Sequence, residues 1–261
     1  LTPVRWLLEE DPDFPGPEAL RRAGLVDVVP LDPGPPWAPR WPAVTGPVVA
    51  YGTMRTLRRL QGHAPLAHAV FDHYPSLRWS SFLPHVYDLL GREVFIVPLA
   101  ALPHLDLRRH FDKQVFIRPE TNYKLFASGV VDCEKIGSFL DFHAEHRAEL
   151  VVLSQVVELG PEYRCFCREG QVFAHSSYPA LPYQPAPPEV IAFAADCARR
   201  LQSARSLRLI TVDVARAPDG RLRLVEIGGV NSWGVYGCDL PSFVAALEAE
   251  ALLAWEDISG A

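Results

Sequence analysis

Residues Leu209 to Gly228 read LITVDVARAPDGRLRLVEIG. Two apolar runs flank Asp219-Gly220, a dipeptide that favours a two-residue hairpin turn because it tolerates positive φ. With that dipeptide at the tip, counting outward pairs Pro218 with Arg221, Ala215 with Leu224 and Asp213 with Glu226. Two carboxylates then stand opposite each other, about 5 Å apart at Cβ, an arrangement that like charges destabilise. Leu209, Ile210, Val212, Val214, Leu224, Val225 and Ile227 bury at least one face of the hairpin, so the acids are partly desolvated. A hard divalent cation with oxygen ligands resolves the repulsion, and magnesium on nucleotide phosphates typically takes one or two carboxylates. The alternative is a solvated face on which each acid pairs with a nearby arginine such as Arg216 or Arg223. Past the strand end, Gly228-Gly229 lets the backbone come close to a ligand, and Asn231 could supply a third metal oxygen. Gly228 to Gly237, with Ser232, Trp233 and Tyr236, has the texture of a site loop.

Moving outward, a second hairpin pairs Glu162 to Arg168 with Gln171 to Tyr178 around Glu169-Gly170. Counting from its tip sets Arg164 opposite His175 and Glu162 opposite Ser177, with Tyr163, Cys165 and Cys167 on the other face. Arg164 would be satisfied by Glu162 or by a substrate. Leu150 to Glu158 precedes this hairpin as a strong strand, and a helix spans Pro188 to Leu201. Further back, Gln114 to Arg118 is an apolar strand ended by Arg118-Pro119, since proline holds the chain extended and removes a donor. Lys113, Arg118 and Lys124 supply the positive charge a phosphate group needs; arginine grips its oxygens with two donors and lysine acts as a point charge.

The first third alternates short strands (Val4 to Leu8, Val26 to Leu31, Val48 to Tyr51) with helices (Pro17 to Ala23, Gly52 to Leu60), the pattern of a small open α/β layer. Asp32 to Pro47 is proline-rich and reads as a surface loop. A strand over Glu93 to Pro98 leads out of this region, suggesting a leading domain over residues 1–100 and a second unit over 101–261. Helices are expected over Glu134 to Arg147 and Pro241 to Trp255.

Across 261 residues, 49% are hydrophobic and 21% charged, an ordinary globular balance that argues against disorder. The net charge of -6 gives no general attraction to nucleic acid or an anionic membrane. No apolar run reaches the ~18 to 20 residues of a membrane span, and the start carries no leader-like pattern, so a cytoplasmic location is expected, with oligomerisation left open. Five cysteines without a C-x-x-C pair argue for buried thiols over zinc or redox chemistry. Walker, dinucleotide-fingerprint and nucleophile-elbow motifs are missing from the sequence.

Four segments in this order resemble the ATP-grasp superfamily over roughly residues 100 to 245. Val115 to Pro119 is similar to a strand ending in a basic residue and proline. Leu153 to Glu158 resembles the hinge strand whose backbone reads adenine, Glu162 to Phe166 resembles the acid-x-Arg strand, and Asp213 with Glu226 to Asn231 resembles the metal-ligand strands. Arg118, Lys124 and Phe126 are most similar to the branch marked by one arginine and two lysines. The family commonly places an asparagine two residues after the metal glutamate, where this chain has Gly228. The resemblance implies an α+β fold whose two subdomains grip ATP behind a small α/β leading domain. It also implies an ATP- and magnesium-dependent ligase joining a carboxylate substrate to an amine through an acyl phosphate; an ATP-grasp kinase or a non-catalytic nucleotide-binding protein are the alternatives. The residues so implied are Asp213, Glu226 and Asn231 for the metal, and Arg118, Lys124 and Arg164 for catalysis. Lys113, Arg118, Lys124, Gln155, Val156, Val157, Glu158 and Glu162 would bind nucleotide, and Arg164, Ser232 and Tyr236 substrate.

Overall fold

The computed structural model describes residues 3–11, 13–35, 38–123, 125–178 and 181–260. Lys124 lies outside these described residues. In chain order the elements begin with β1 (Arg5–Glu9), α1 (Gly16–Ala23), β2 (Asp27–Leu31), β3 (Val48–Tyr51), α2 (Met54–Gln61), α3 (Trp79–Leu90) and β4 (Val94–Pro98). There follow α4 (Leu107–Phe111), β5 (Gln114–Pro119), β6 (Gly129–Asp132), α5 (Ile136–Phe142), β7 (Leu150–Gln155), β8 (Glu162–Arg168) and β9 (Gln171–Tyr178). The chain closes with α6 (Pro188–Arg205), β10 (Leu209–Arg216), β11 (Leu222–Gly228) and α7 (Leu240–Ser259).

The leading layer is a three-stranded parallel sheet in the order β2-β1-β3. Its strands read as apolar runs because a parallel sheet is covered on both faces, and Leu7, Val48 and Ala50 pack on α2 residues Leu57 and Leu60 while Trp6, Leu8 and Tyr51 pack toward α7. Glu9, at the end of β1, is buried because its carboxylate accepts the Thr53 amide and the Thr56 hydroxyl, both at 2.5 Å, at the start of α2.

Two four-stranded antiparallel sheets follow, in the orders β4-β7-β5-β6 and β11-β10-β8-β9. The strand Val94–Pro98 pairs with Leu150–Gln155, so it is the edge strand of the first of these sheets rather than an exit from the leading layer. One core cluster lies on the far side of that sheet, built from Leu99, Val115, Ile117, Ile136, Val151 and Leu153. Another lies between the two sheets and α3 and α6, holding Phe82, Val152, Cys165, Cys167, Cys197, Val212 and Leu224. The expected helix over Glu134 to Arg147 is broken at His143, where the backbone leaves helical geometry (φ -111, ψ 33).

Helix α3 went unread in the sequence because Pro84 sits in its interior, where proline removes a hydrogen bond, and no side chain of its own caps it. The cap comes from elsewhere: the Glu120 carboxylate, just past β5, accepts the Ser80 amide at 3.0 Å and the Ser80 hydroxyl. The segment Val156 to Pro161 crosses from β7 to β8 and so joins the two antiparallel sheets.

Candidate functional site

Asp213 faces Glu226 across β10 and β11, as the count from the turn requires. The path to that register is different. Ala217 and Arg221 close the hairpin, and Pro218-Asp219-Gly220 forms a three-residue loop with Gly220 at φ 79, the left-handed position such loops reserve for glycine. The longer loop slips the ladder by one residue, so Ala215 opposes Arg223 and Val214 opposes Leu224. A β-bulge at Val225 then restores the count, since an extra residue on one strand realigns everything beyond it. Without the bulge Val225 would face Asp213 and Glu226 would turn to the opposite side of the sheet.

Strand β8 lies on the other side of β10, with Arg164 opposite Asp213. A bulge between Phe166 and Cys167 also shifts the β8-β9 hairpin, so Arg164 faces Ser176 and Glu162 faces Tyr178. The pairings with His175 and Ser177 expected from the turn are therefore corrected by one residue; His175 instead accepts the Ala186 amide. One rung of the sheet thus runs Glu226, Asp213, Arg164, Ser176.

The charges on this rung are matched closely. Arg164 grips Asp213 with two bonds, Nε to Oδ1 at 2.9 Å and a terminal nitrogen to Oδ2 at 2.7 Å, and the Tyr178 hydroxyl donates to Oδ2 at 2.9 Å. Asp213 is completely buried. Burial alone would lower the Arg164 pKa, but the Asp213 charge and hydrogen bonds push it above its ordinary value. The guanidinium is also ringed by Tyr178, Trp233 and Tyr236, whose centroids lie 4.6 to 5.1 Å from its central carbon. From the other antiparallel sheet, Arg118 at the end of β5 pairs with Glu226 and donates to Asn122 at 3.3 Å. The alternative partners, Arg216 and Arg223, bond Glu189 and Asp219 instead. Glu162, two rungs along on the same face, has its pKa raised, first by burial and then by Asp213 and Glu226, against the Tyr178 hydrogen bond. Tyr178 is the site residue that sequence reasoning missed; the one-residue error in the hairpin placed it off the rung beside Glu162.

The other expected positions lie elsewhere. Asn231 is fully buried, and its amide is committed to backbone: it donates to the Ala50 and Ala69 carbonyls at 2.7 and 3.2 Å and accepts the Phe71 amide at 2.9 Å. These bonds tie the loop after β11 to the leading layer and leave no oxygen of that side chain turned to the acids. Lys113 is exposed at the start of β5, five residues from Arg118, about 17 Å along an extended strand. Gln155 bonds Glu93, while Val156, Val157 and Glu158 are exposed in the crossover. Val157 and Glu158 line a cavity of about 300 Å³ with Leu90, Gly91, Asp219 and Arg223. The Ser232 hydroxyl is buried away from the acid pair, beside the Asp72 carboxylate.

Gly228 and Gly229 are both required by close approach. A Cβ at Gly228 would fall 2.0 Å from the Trp233 ring, and one at Gly229 would fall 2.1 Å from the Asp72 carboxylate. Asp72 is buried and accepts the Val230 and Asn231 amides at 2.6 and 3.3 Å; burial lifts its pKa to about 6 despite those bonds.

The donor set suits magnesium bound together with phosphates. Among the described residues no group of three or more His, Cys, Asp or Glu side chains is placed to hold a metal, but two facing carboxylates are the number such a cation takes when phosphate and water complete its shell. The Arg118 Nε is buried without a partner, and a phosphate oxygen is the natural acceptor for it.

Residues 89–246 match a family model that describes an ATP-grasp domain, family 2 of the clade named for one arginine and two lysines. Among solved structures the chain is similar to the D-cycloserine synthetase DcsG, with 15% identity and a TM-score of 0.67 over 95% of this chain and 99% of that one. It is similar to a RimK domain ATP-grasp protein from Sphaerobacter thermophilus, with 15% identity and a TM-score of 0.59 over 96% and 97%. It also resembles the ATP-grasp ligase PsnB complexed with minimal precursor, Mg and ADP, with 14% identity and a TM-score of 0.56 over 94% and 98%. At such identities the likeness bears on the fold. A comparison with curated proteins finds no match. Among the described residues no helix is long and apolar enough to cross a membrane.

Proposed function

The chain belongs to the ATP-grasp family, in family 2 of the one-arginine, two-lysine clade, and from that premise we propose that it is an ATP-dependent carboxylate-amine ligase. The observation that carries the reading is the rung on which Glu226 and Asp213 stand side by side, faced by Arg118 from the other antiparallel sheet. In this reading a substrate carboxylate attacks the γ-phosphate of ATP, and an amine then displaces phosphate from the acyl phosphate to form an amide. Such chemistry depends on positioning and charge neutralisation. Asp213 and Glu226 would hold magnesium, which when bound draws charge from the phosphate oxygens. Arg118 would turn its free Nε to a phosphate, with Lys124 as a further cation. Gln155 to Glu158 would meet the adenine and ribose, and Glu162 would lie beside them. Arg164, released from Asp213, would meet the acyl phosphate, with Ser232 and Tyr236 at the substrate end. PsnB is complexed with a minimal precursor, and a peptide carboxylate is the first substrate class to try with this chain. The unit that grips nucleotide begins before β4, since β4 completes the first antiparallel sheet and the family match starts at residue 89.

Isothermal titration with ATP and magnesium tests the reading. Wild type should bind the magnesium complex, and Asp213→Asn and Glu226→Gln should each weaken it by about tenfold or more. Unchanged affinity in both variants removes these acids from the site. A second reading, non-catalytic nucleotide binding, is favoured by Gly228, where the Trp233 ring fills the space an asparagine would need. Binding without any release of ADP over a panel of carboxylates and amines would decide for it, and a stable phosphorylated product without amide would decide for a kinase.

A further inference from the structure

The bulge that sets Glu226 abreast of Asp213 is itself held from outside the sheet. Arg92, two residues before β4, donates one terminal nitrogen to the Leu224 carbonyl at 3.1 Å and the other to the Val225 carbonyl at 3.4 Å. In a regular strand successive carbonyls point to opposite sides, so one guanidinium reaching two in a row marks the bulge. β11 is the edge strand of its sheet, and among the described residues no strand pairs with its outer side. Left buried and unbonded, each would carry the full cost of its lost hydration. Arg92 is kept there against its own preference: burial, then the charges of Arg118 and Arg223, lower its pKa to about 10.

Resting on the metal-nucleotide reading above, we propose that Arg92 is a positioning residue for the metal carboxylates, fixing the Val225 bulge and with it the orientation of Glu226. Arg92 belongs to the segment that leads into the other antiparallel sheet, so it also makes the geometry of Glu226 depend on how the two sheets sit. Arginine is needed because its planar fork spans two acceptors at once, whereas a lysine ammonium is a single point charge.

The test measures magnesium affinity at saturating ADP, ADP affinity without metal, and thermal unfolding, for wild type, Arg92→Met and Arg92→Lys. Both variants should lose magnesium affinity by about tenfold, the scale seen when an outer partner of a metal ligand is removed. Arg92→Lys should bind metal-free ADP as wild type does, because its charge is retained. If Arg92→Met does not fold, Arg92→Lys alone carries the test. Wild-type magnesium affinity in Arg92→Lys, or a fall in unfolding temperature with magnesium affinity intact, overturns the proposal and leaves Arg92 a structural strut. Absence of metal-dependent ADP binding in wild type is a separate result: it rejects the reading on which the inference rests, and the inference with it.

Discussion

Replacing Arg164 by methionine asks most directly what the buried rung is worth. Asp213 is fully buried and is held by two Arg164 bonds at 2.9 and 2.7 Å and one Tyr178 bond at 2.9 Å. Methionine keeps the apolar contact with the three rings but leaves a buried carboxylate with a single neutral donor. Removing one partner of a buried ion pair costs about 3 to 5 kcal/mol, because the remaining charge is uncompensated. At about 2 to 4 °C per kcal/mol for a chain of this size, the unfolding temperature should fall by roughly 10 °C. The assay is thermal and urea unfolding followed by circular dichroism, with and without magnesium and ADP. A cation at Asp213 would restore the missing counter-charge, so magnesium with ADP should stabilise Arg164→Met more than it stabilises wild type. Adding Asp213→Asn should recover part of the loss, as coupled neighbours do. A loss below about 1 kcal/mol would show that Asp213 is neutralised by something other than Arg164. An identical loss with the magnesium nucleotide present would show that no cation reaches Asp213.

Two further outcomes follow from the loop after β11. Gly228→Asn places a Cβ 2.0 Å from the Trp233 ring, so it should destabilise by about 1 to 3 kcal/mol, and Trp233→Ala should relieve most of that loss in the double variant; chemical denaturation of the four proteins checks it. Asp72, whose pKa is raised from 3.8 to about 6, retains its proton more strongly when folded, so its contribution favours folding below pH 3.8 and is lost as pH rises through about 6. Its share is about 3 kcal/mol, and Asp72→Asn should be more stable than wild type at pH 8, with the difference vanishing near pH 4. An unfolding series from pH 4 to 8 that shows parallel curves for the two proteins would refute this.

The parts of the fold that sequence made legible are those fixed by local pattern. Apolar runs bounded by Asp219-Gly220 and Glu169-Gly170 located both hairpins, and the alternation of runs with helical stretches located the leading layer. Asp213 and Glu226 came out opposite through two offsetting departures: a loop one residue longer than assumed, and a bulge at Val225 that restored the count. In the other hairpin nothing offset the bulge beside Phe166, and Arg164 and Tyr178 were misplaced by one position. A bulge has no fixed residue signature, so a count from a turn is secure only as far as the first one. The partners of the acids were illegible for a different reason. Arg164 lies 49 residues from Asp213 and Arg118 lies 108 from Glu226, and which distant strands become neighbours is set by sheet order, which no single strand's pattern encodes. The same holds for Glu120 capping α3 and for Asn231, whose amide is used by three backbone groups of the leading layer.

These distant pairings change how the acid pair should be understood. Two facing carboxylates demanded positive charge, and within the chain itself two arginines already supply it, one from the neighbouring strand and one from the opposite sheet. In the proposed reading a metal-nucleotide complex would therefore not enter a vacant negative site. In that reading it would exchange with internal cations: Asp213 and Glu226 would hold the metal, and the freed guanidiniums, each a planar fork suited to phosphate oxygens, would become available for the phosphates arriving with it. The net change in charge at the rung would be small, and the exchange would substitute one set of paired ions for another rather than expose any buried charge unpaired. Arg164 is the better prepared of the two, because Tyr178, Trp233 and Tyr236 already face its cation beside Asp213. Affinity for magnesium alone should accordingly be weak and affinity for magnesium with ADP much stronger, since only the pair gives both the carboxylates and the arginines new partners; titrating each ligand alone and then together separates the two cases.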